Sequence, residues 1–327
     1  MIKFNEILTI DCNKEFEDKA LEIFKFQAYN NAIYNEYIFL RKIDIEKVKS
    51  IKEIPFLPIG FFKKFKITSS DKHPDEVFAS SGTTDNTASL HYVVDASVYK
   101  KSLKRCFEYF YGTPKNYCFL ALLPHYLERQ GSSLVYMVNE LMRLSNHPEN
   151  GFYLNNFNAL KEKIEYLDNM NVQTVIFGVS FALLDFARKF KLNLKNAIIM
   201  ETGGMKGRQK EITRNELHNE LKKGLGTKKI HSEYSMTELL SQAYSKGNGI
   251  FYTPPWMKIL IRDIYDPFSY VEAGKNGGIN IIDLANVYSV SFIETRDIGK
   301  LTKTGGFEVL GRFDESDIRG CNLLVIN

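Results

Sequence analysis

Three short clusters of polar residues contain side-chain types that could bind anions or cations. The first, Ala79–Ser89, has Ser, Thr or Gly at seven of its eleven positions. The second, Glu233–Glu238, reads Glu-Tyr-Ser-Met-Thr-Glu, and the third joins Arg296–Leu301 to Gly311–Gly320. Closely spaced backbone N–H groups and hydroxyls suit the oxygens of a polyphosphate, and a carboxylate suits Mg²⁺. The GxxxxGK[ST] phosphate loop does not occur in the sequence.

Each cluster alone also has a purely structural interpretation. The Ser/Thr/Gly run is then a polar surface loop. Ser235 followed by Glu238 has the pattern of a helix N-cap with a capping box. Asp297, close to a glycine, is then a turn former, and Arg312 with the aspartates that follow it is a solvated ion-pair cluster.

The segments between the clusters alternate between strand and helix patterns. Apolar runs predict strands, and apolar residues at helical spacing follow them. The predicted strands are Tyr117–Leu123, Val172–Phe177 and Ala197–Met200, and the predicted helices cover 134–142, the stretch through Phe190 and about 209–222. This alternation predicts a largely parallel sheet covered on both faces, with ligands at the carboxyl ends of its strands.

The pattern predicts three parts of the chain. Residues 1–75 form a mainly helical N-terminal segment, 76–255 an α/β nucleotide-binding core, and 256–327 a β-rich subdomain that ends in a short C-terminal arm. In the last part, short apolar runs predict antiparallel strands and a hairpin. They are Lys258–Ile261, Gly278–Ile282, Ser289–Ile293 and the turn at Thr304–Gly306.

Composition excludes several classes of function. The 327 residues are 44% hydrophobic and have a formal net charge of +4, without a basic stripe, which argues against nucleic-acid binding. No apolar stretch approaches the ~20 residues of a membrane span, so we expect a cytoplasmic protein without membrane contact. The four cysteines form no CxxC pair, which argues against a zinc site or disulfide framework.

In their order and separation, the three clusters together resemble the motif series of the adenylate-forming superfamily. Leu123–His125 and Thr202–Gly204 fit two further landmarks of that series, and the resemblance covers about residues 54 to 321. Within the superfamily the sequence most resembles the acyl-protein synthetases of bacterial bioluminescence, which are long-chain fatty acid–protein ligases. The segments His125–Met137 and Gly311–Asn322 contain this likeness.

The resemblance implies the α/β large-domain fold of adenylate-forming enzymes, with layered αβ sheets and a small β-barrel-like subdomain. It also implies that the C-terminal domain, which bears a lysine that contacts the reacting carboxylate, is missing. A second departure is Asp85, which stands where glycine usually follows Thr-Thr. A carboxylate facing a polyphosphate repels it unless Asp85 points away or helps to hold Mg²⁺.

ATP and Mg²⁺ are the cofactors that the resemblance implies, together with a role for each motif residue. The β- and γ-phosphates would be held by Ser80, Ser81, Gly82, Thr83 and Thr84, while Thr237 would contact the α-phosphate and Glu238 would ligate Mg²⁺. Tyr234 would stack on adenine beside Gly203 and Gly204. Asp297 would bind the ribose hydroxyls, and Arg312 would lie near the ribose and phosphate.

Three residues have expected catalytic roles. The resemblance places His125 beside the reacting carboxylate, although a histidine after a strand is also a common structural residue. Lys206 is a candidate for the missing positive charge. Cys321, six residues from the end, matches the acylated cysteine of the acyl-protein synthetases, and the alternative is an inert cysteine in a closing strand.

These observations leave three functional hypotheses. In the first, the chain activates a carboxylic acid, of the fatty class, as its acyl-adenylate and passes the acyl group through Cys321 to an acyl reductase or acyl-transferase partner protein. In the second, the acceptor is coenzyme A, a carrier-protein thiol or an amine. In the third, the chain is a non-catalytic subunit that binds a nucleotide or a partner.

Overall fold

The computed structural model describes residues 2–80, 88–124, 131–203 and 212–313. The helices in these ranges are α1 Phe4–Ile7, α2 Asn13–Asn30, α3 Ala32–Leu40, α4 Ala96–Tyr111, α5 Ser133–Ser145, α6 Phe157–Asn169, α7 Ser180–Lys189 and α8 Arg214–Leu225. Short 3₁₀ helices lie at Ile45–Lys47, Ile59–Lys63 and Pro114–Asn116.

The strands belong to three sheets. They are β1 Leu57–Pro58, β2 Glu76–Ala79, β3 Leu90–Val93, β4 Cys118–Leu122, β5 Gly151–Phe152, β6 Thr174–Val179, β7 Ala197–Thr202, β8 His231–Tyr234, β9 Ala243–Ser245, β10 Ile250–Phe251, β11 Met257–Arg262, β12 Gly277–Asp283, β13 Phe292–Leu301 and β14 Phe307–Arg312. Strands β2 and β3 form an antiparallel pair, and the other two sheets have six strands each.

The first large sheet has the order β5-β4-β6-β7-β8-β9, and all of its neighbours are parallel except β8 and β9. Every residue of β4 and β6 is buried, so both faces of the sheet are covered. This explains why these strands appear in the sequence as continuous apolar runs rather than as alternating patterns. The predicted parallel sheet is confirmed.

Helix boundaries follow local capping signals. The side chain of Ser132 accepts the N–H of Val135 at the start of α5. Thr213 and Glu216 form a reciprocal capping box at the start of α8, and Gly226 ends that helix in the left-handed conformation. These signals place the helix behind β7 at Arg214–Leu225, a few residues later than the sequence pattern predicts.

The second large sheet has the order β10-β14-β13-β12-β11, with antiparallel neighbours, and β1 pairs parallel to β13. The antiparallel strands predicted in this part are confirmed, but the strand expected at Ser289–Ile293 begins only at Phe292. The residues before Phe292 bond to side chains as well as to the end of β12, where Asp283 donates its N–H to the carbonyl of Ser291. For example, Asn286 donates to the carbonyl of Val290, and Ser291 donates its N–H to Gln27.

Buried side chains from the N-terminal helices and from both large sheets form one continuous apolar core. The boundaries at residues 75 and 255 therefore stay a prediction. In the described part of the chain, no helix is long and apolar enough to cross a bilayer. The cytoplasmic location also stays a prediction.

Gln27 ties α2 to the segment that precedes β13. Its side chain is fully buried and donates to the carbonyls of Asn286 and Val287, while its oxygen accepts the N–H of Ser291. A fully bonded buried amide is costly to remove, because its partners lose their hydrogen bonds without gaining water. The first helices are thus fixed to the β-rich end of the chain.

Replacing Gln27 by Leu is expected to lower the free energy of unfolding by about 3 kcal/mol, because it leaves several buried backbone groups unpaired. Denaturant unfolding monitored by circular dichroism measures this change. The matched control is Gln173→Leu, since Gln173 is exposed, and its expected effect is within about 0.5 kcal/mol. Equal losses in the two variants would contradict the role of Gln27.

Candidate functional site

The second polar cluster begins at the carboxyl ends of the parallel strands, beside Thr202 and Gly203. Thr202 at the end of β7 lies opposite Glu233 of β8, so Gly203 and Tyr234 are neighbours at the same edge of the sheet. Gly203 has a φ of 69°, a conformation in which glycine is favoured, and its carbonyl accepts a hydrogen bond of 2.6 Å from Ser180. The chain therefore turns sharply beside Tyr234, as the sequence predicts for a glycine turn.

The third cluster reaches the same place from the second sheet. The hydroxyl of Tyr234 donates to Asp297 Oδ2 at 2.7 Å, and Arg312 Nε lies 3.6 Å from Asp297 Oδ1. Asp297 and Arg312 are paired residues on β13 and β14. The ring of Tyr234 packs against Phe251 and Phe307. Tyr234 and Asp297 thus join the two large sheets at the site.

Burial changes the acidity of both partners in this contact. Burial, with the negative charge of Asp297 second, raises the pKa of Tyr234 well above its usual range. Burial also raises the pKa of Asp297, and the bond from Tyr234 and the charge of Arg312 oppose that rise. A carboxylate has about four acceptor positions, so Asp297 keeps acceptor capacity beyond the bond from Tyr234.

Glu238 adjoins the base of the Ser/Thr/Gly cluster. Ser80 and Ser89 close that base with two bonds, from Ser80 N to the carbonyl of Ser89 at 3.0 Å and from Ser89 N to Ser80 Oγ at 2.8 Å. The Ser89 side chain bonds to the buried carboxylate of Glu238 and lowers its pKa, while burial has the larger effect and raises it. Arg312 and Asp297 also act electrostatically on Glu238.

Glu238 therefore has the chemistry of a metal ligand. It is a buried carboxylate, and among the described residues it makes no ion pair with a basic side chain. Mg²⁺ prefers carboxylate and phosphate oxygens, so the donor at this position fits it.

Buried polar side chains hold the backbone around Thr237 and Glu238. His91 Nδ1 bonds to the carbonyl of Thr237 at 2.9 Å, and Asn286 donates to the carbonyl of Glu238 at 2.8 Å. Burial lowers the pKa of His91 to about 4, so the ring is neutral at physiological pH. Asp283 accepts the N–H groups of Leu240 and Ser241 at 2.8 and 2.9 Å.

Sequence reasoning missed His91, Asp283 and Asn286. They belong to no spaced motif, and their partners are distant along the chain: His91 and Thr237 are 146 positions apart. Ser89 lies within the first cluster, so its polar neighbours in the sequence could have identified it as a site residue.

Two structural alternatives raised by the sequence are wrong. Residues 235–241 contain no helix, so Ser235 is not a helix N-cap with Glu238 as its capping box. The chain ends β8 at Tyr234 and then turns, because His91, Asn286 and Asp283 bond the backbone that a helix would use. Asp297 lies inside β13 rather than in a turn, where it bonds to Tyr234.

The remaining candidates lie outside the described residues, and their roles stay predictions. They are Ser81, Gly82, Thr83, Thr84, His125, Gly204, Lys206 and Cys321. Among the described candidates, Ser80, Tyr234, Glu238, Asp297 and Arg312 are brought together by the contacts above, with Gly203 and Thr237 adjoining them in the chain.

Glu233 is a buried carboxylate that the sequence analysis did not single out. Thr202 donates to its Oε2 at 2.5 Å, whereas Oε1 has no hydrogen-bond partner within the described ranges. Burial raises its pKa to about 6, against hydrogen bonding from Ser235 and Thr202, and Glu201 adds to the rise.

No family model and no curated protein matches the sequence, but solved structures match the fold. The ATP-bound MatB of Rhodopseudomonas palustris aligns with 72% of this chain at 15% identity and a TM-score of 0.53. The chain spans 47% of the length of MatB. A 2-hydroxyisobutyryl-CoA ligase, in an open conformation with 2-HIB-AMP and CoA, aligns with 93% of this chain and 75% of its own, at 11% identity and a TM-score of 0.65. The chain has the α/β fold of adenylate-forming ligases.

Glu233→Gln is expected to remove a pH dependence of stability. Because the folded-state pKa of Glu233 is raised to about 6, the folded protein binds more protons than the unfolded chain below that pH, and stability falls as pH rises through it. From about pH 5 to about pH 7.5, wild type should lose about 1 kcal/mol more than the variant.

Denaturant unfolding at both pH values measures this difference. The exposed Glu36 on α3 provides the control Glu36→Gln, which should follow wild type. A variant with the wild-type pH dependence would show that Glu233 is not the titrating group.

Proposed function

We propose that the chain activates a carboxylic acid by transferring the AMP of ATP to it. One observation supports this most strongly. Ser80 and Ser89 close the base of the hydroxyl-rich segment, and this base adjoins Glu238. The carboxylate of Glu238 also interacts electrostatically with Arg312 and Asp297. Three clusters that are far apart in the sequence thus contribute to one site. The fold shared with the 2-hydroxyisobutyryl-CoA ligase adds support.

In the reaction, a carboxylate oxygen of the acid attacks the α-phosphorus of ATP. A new phosphorus–oxygen bond forms, the bond to the bridging oxygen of the β-phosphate breaks, and pyrophosphate leaves with the bonding electrons. Such chemistry needs positioning and neutralisation of charge more than a protein nucleophile. Mg²⁺ at Glu238 would neutralise phosphate charge.

Each protein group has a proposed place along the nucleotide. Hydroxyls and N–H groups of the Ser/Thr/Gly cluster bind the β- and γ-phosphates, and Thr237 contacts the α-phosphate. Asp297 accepts hydrogen bonds from the ribose hydroxyls, while Tyr234 borders the adenine beside Gly203. The bond between Tyr234 and Asp297 fixes both groups before ATP arrives, which lowers the entropic cost of binding.

The charge on the reacting carboxylate needs a cation near it. We propose Lys206 for this role and place His125 beside the same carboxylate. Both residues follow strands of the parallel sheet in the sequence: His125 comes after β4 and Lys206 after β7. Since the carboxyl ends of these strands lie at one edge of the sheet, the last residues of β4 and β7, Leu122 and Thr202, lie at the edge where the site is.

The proposed acyl acceptor is Cys321. Its thiolate would attack the carbonyl carbon of the acyl-adenylate, AMP would leave, and the thiol proton would pass to solvent. The resulting thioester would be delivered to a partner such as an acyl reductase or acyltransferase. A second candidate acceptor is coenzyme A, which the solved 2-hydroxyisobutyryl-CoA ligase binds.

Incubation with ATP, Mg²⁺ and radiolabelled carboxylic acids, followed by denaturing gel analysis, tests the acceptor. Wild type should gain a hydroxylamine-sensitive label that Cys321→Ser lacks, because the serine hydroxyl is not ionised at neutral pH. The matched control is Cys12→Ser, since Cys12 is exposed and near the other end of the chain. Label that survives in Cys321→Ser, or transfer to added coenzyme A alone, would favour the second acceptor.

Glu238→Gln is expected to raise the Mg²⁺ concentration for half-maximal activity by about 10-fold or more, because an amide is a weaker ligand than a carboxylate. Acid-dependent exchange of pyrophosphate into ATP measures this at a series of Mg²⁺ concentrations. Glu36→Gln is the control. An unchanged Mg²⁺ dependence in a folded Glu238→Gln protein would remove Glu238 from the metal site.

A further inference from the structure

Buried polar atoms without partners are concentrated at one place in the fold. Within the described part of the chain, Glu233 Oε1, both polar atoms of the Gln242 side chain, and the hydroxyls of Tyr244 and Tyr136 have no hydrogen-bond partner. Glu233 is 4% exposed, and Gln242 and Tyr244 are 1% exposed. Native proteins leave few such atoms, and a ligand or ordered water usually satisfies them.

Three of these side chains, those of Glu233, Gln242 and Tyr244, border the same region. Glu233 and Tyr244 are paired across β8 and β9, which places them on one face of the sheet. Gln242 is two positions before Tyr244, and alternation along an extended chain puts it on that face as well. Burial, with the charge of Glu233 second, raises the pKa of Tyr244, which places the two groups within electrostatic range.

Tyr99 of α4 lies near the same side chains. Burial, with the charge of Glu233 second, raises the pKa of Tyr99, which places Tyr99 within electrostatic range of Glu233. Tyr99 also stacks on Tyr136 of α5 with ring centres 5.5 Å apart. We call the region bounded by Glu233, Gln242 and Tyr244 the polar pocket.

The polar pocket adjoins the proposed nucleotide site. Glu233 precedes Tyr234 on β8, and successive residues of a strand face opposite sides of a sheet. Tyr234 therefore faces Asp297 while Glu233 faces the polar pocket. Gln242 follows Ser241, whose N–H is held by Asp283. The backbone segment between Tyr234 and Gln242 therefore lies between the two sites, and it contains Glu238.

We propose, resting on the proposed adenylation, that the polar pocket binds the variable part of the acid substrate and selects an acid with a protonated amine. Such a substrate is an amino acid or another amino-substituted carboxylic acid. An ionised Glu233 accepts hydrogen bonds, and the amide of Gln242 and the tyrosine hydroxyls both donate and accept them. An ammonium group beside Glu233 would supply the missing partner.

The charges near Glu233 support a cationic ligand. Arg214, one of the described cations, pairs with the neighbouring carboxylate Glu201 at 3.3 Å and not with Glu233. Glu233 itself makes no ion pair among the described residues and has Glu201 as a negative neighbour. An unbranched alkyl chain would leave all these polar atoms unsatisfied, so the polar pocket disfavours a long-chain fatty acid.

Pyrophosphate exchange with matched pairs of acids tests this selection. Each pair shares a carbon skeleton: leucine with 4-methylpentanoate, phenylalanine with 3-phenylpropionate, and β-alanine with propionate; dodecanoate represents alkyl acids. In at least one pair, wild type should use the amine-bearing acid with a kcat/KM about 30-fold or more higher, the value of a charged hydrogen bond. Glu233→Gln should abolish that preference, mainly through KM.

Two further variants separate recognition from folding. Tyr244→Phe removes only an unpartnered hydroxyl and should weaken the preference without loss of thermal stability. Glu36→Gln, on the exposed surface of α3, should keep the wild-type preference. If Glu233→Gln fails to fold, Tyr244→Phe still tests the polar pocket.

The outcomes distinguish this proposal from the proposed adenylation. Exchange with amine-free or alkyl acids alone, unchanged by Glu233→Gln, would overturn the polar pocket and leave adenylation standing; it would mean that ordered water satisfies these atoms. If no acid supports exchange, calorimetric measurement of the binding of the same pairs of acids tests the polar pocket by itself. Binding of an amine-bearing acid by wild type but not by Glu233→Gln would support the polar pocket without adenylation, and no binding would overturn it.

Discussion

The carboxylate of Asp283 fixes the segment on which the whole candidate site depends. Asp283 ends β12, and besides the N–H of Ala285 it accepts the N–H groups of Leu240 and Ser241 and the hydroxyl of Ser241, the last at 2.6 Å. These bonds join the second sheet to the chain that leaves the first. Because the segment they hold has no helix or strand of its own, its backbone groups need partners from elsewhere. His91 and Asn286 provide the others.

This arrangement concentrates acidic groups in a buried region. Glu233, Glu238, Asp283 and Asp297 all have pKa values raised, first of all by burial. Only Asp283 is surrounded by donors on several sides, which is consistent with a structural role. The others have unused acceptor capacity. Sites that bind cations or polar ligands keep such groups at a cost to the stability of the fold.

The sequence analysis predicted the parallel sheet, the antiparallel strands and most of the polar residues that the site contains. It placed Tyr234, Glu238 and Asp297 in one site because their motifs resemble, in order and separation, those of the adenylate-forming superfamily, and their contacts in the structure are consistent with that. As one alternative it treated the hexapeptide Glu233–Glu238 as a candidate helix start, because a Ser followed by Glu three residues later is a local signal of a helix N-terminus. The bonds that exclude a helix there come from distant residues, which no local signal includes.

The sequence by itself determined the strands and helices around the core. Apart from Thr174, the buried strands β4 and β6 have no polar side chain, and α5 and α8 have capping residues directly before them. The sequence also determined which polar types are available near the strand ends. Only the tertiary structure decided that His91 supports Thr237 and that Glu233 faces Tyr244 and not Asp297. Burial and pairing depend on which elements pack together, and the free energy of a buried carboxylate depends on neighbours that are far away along the chain.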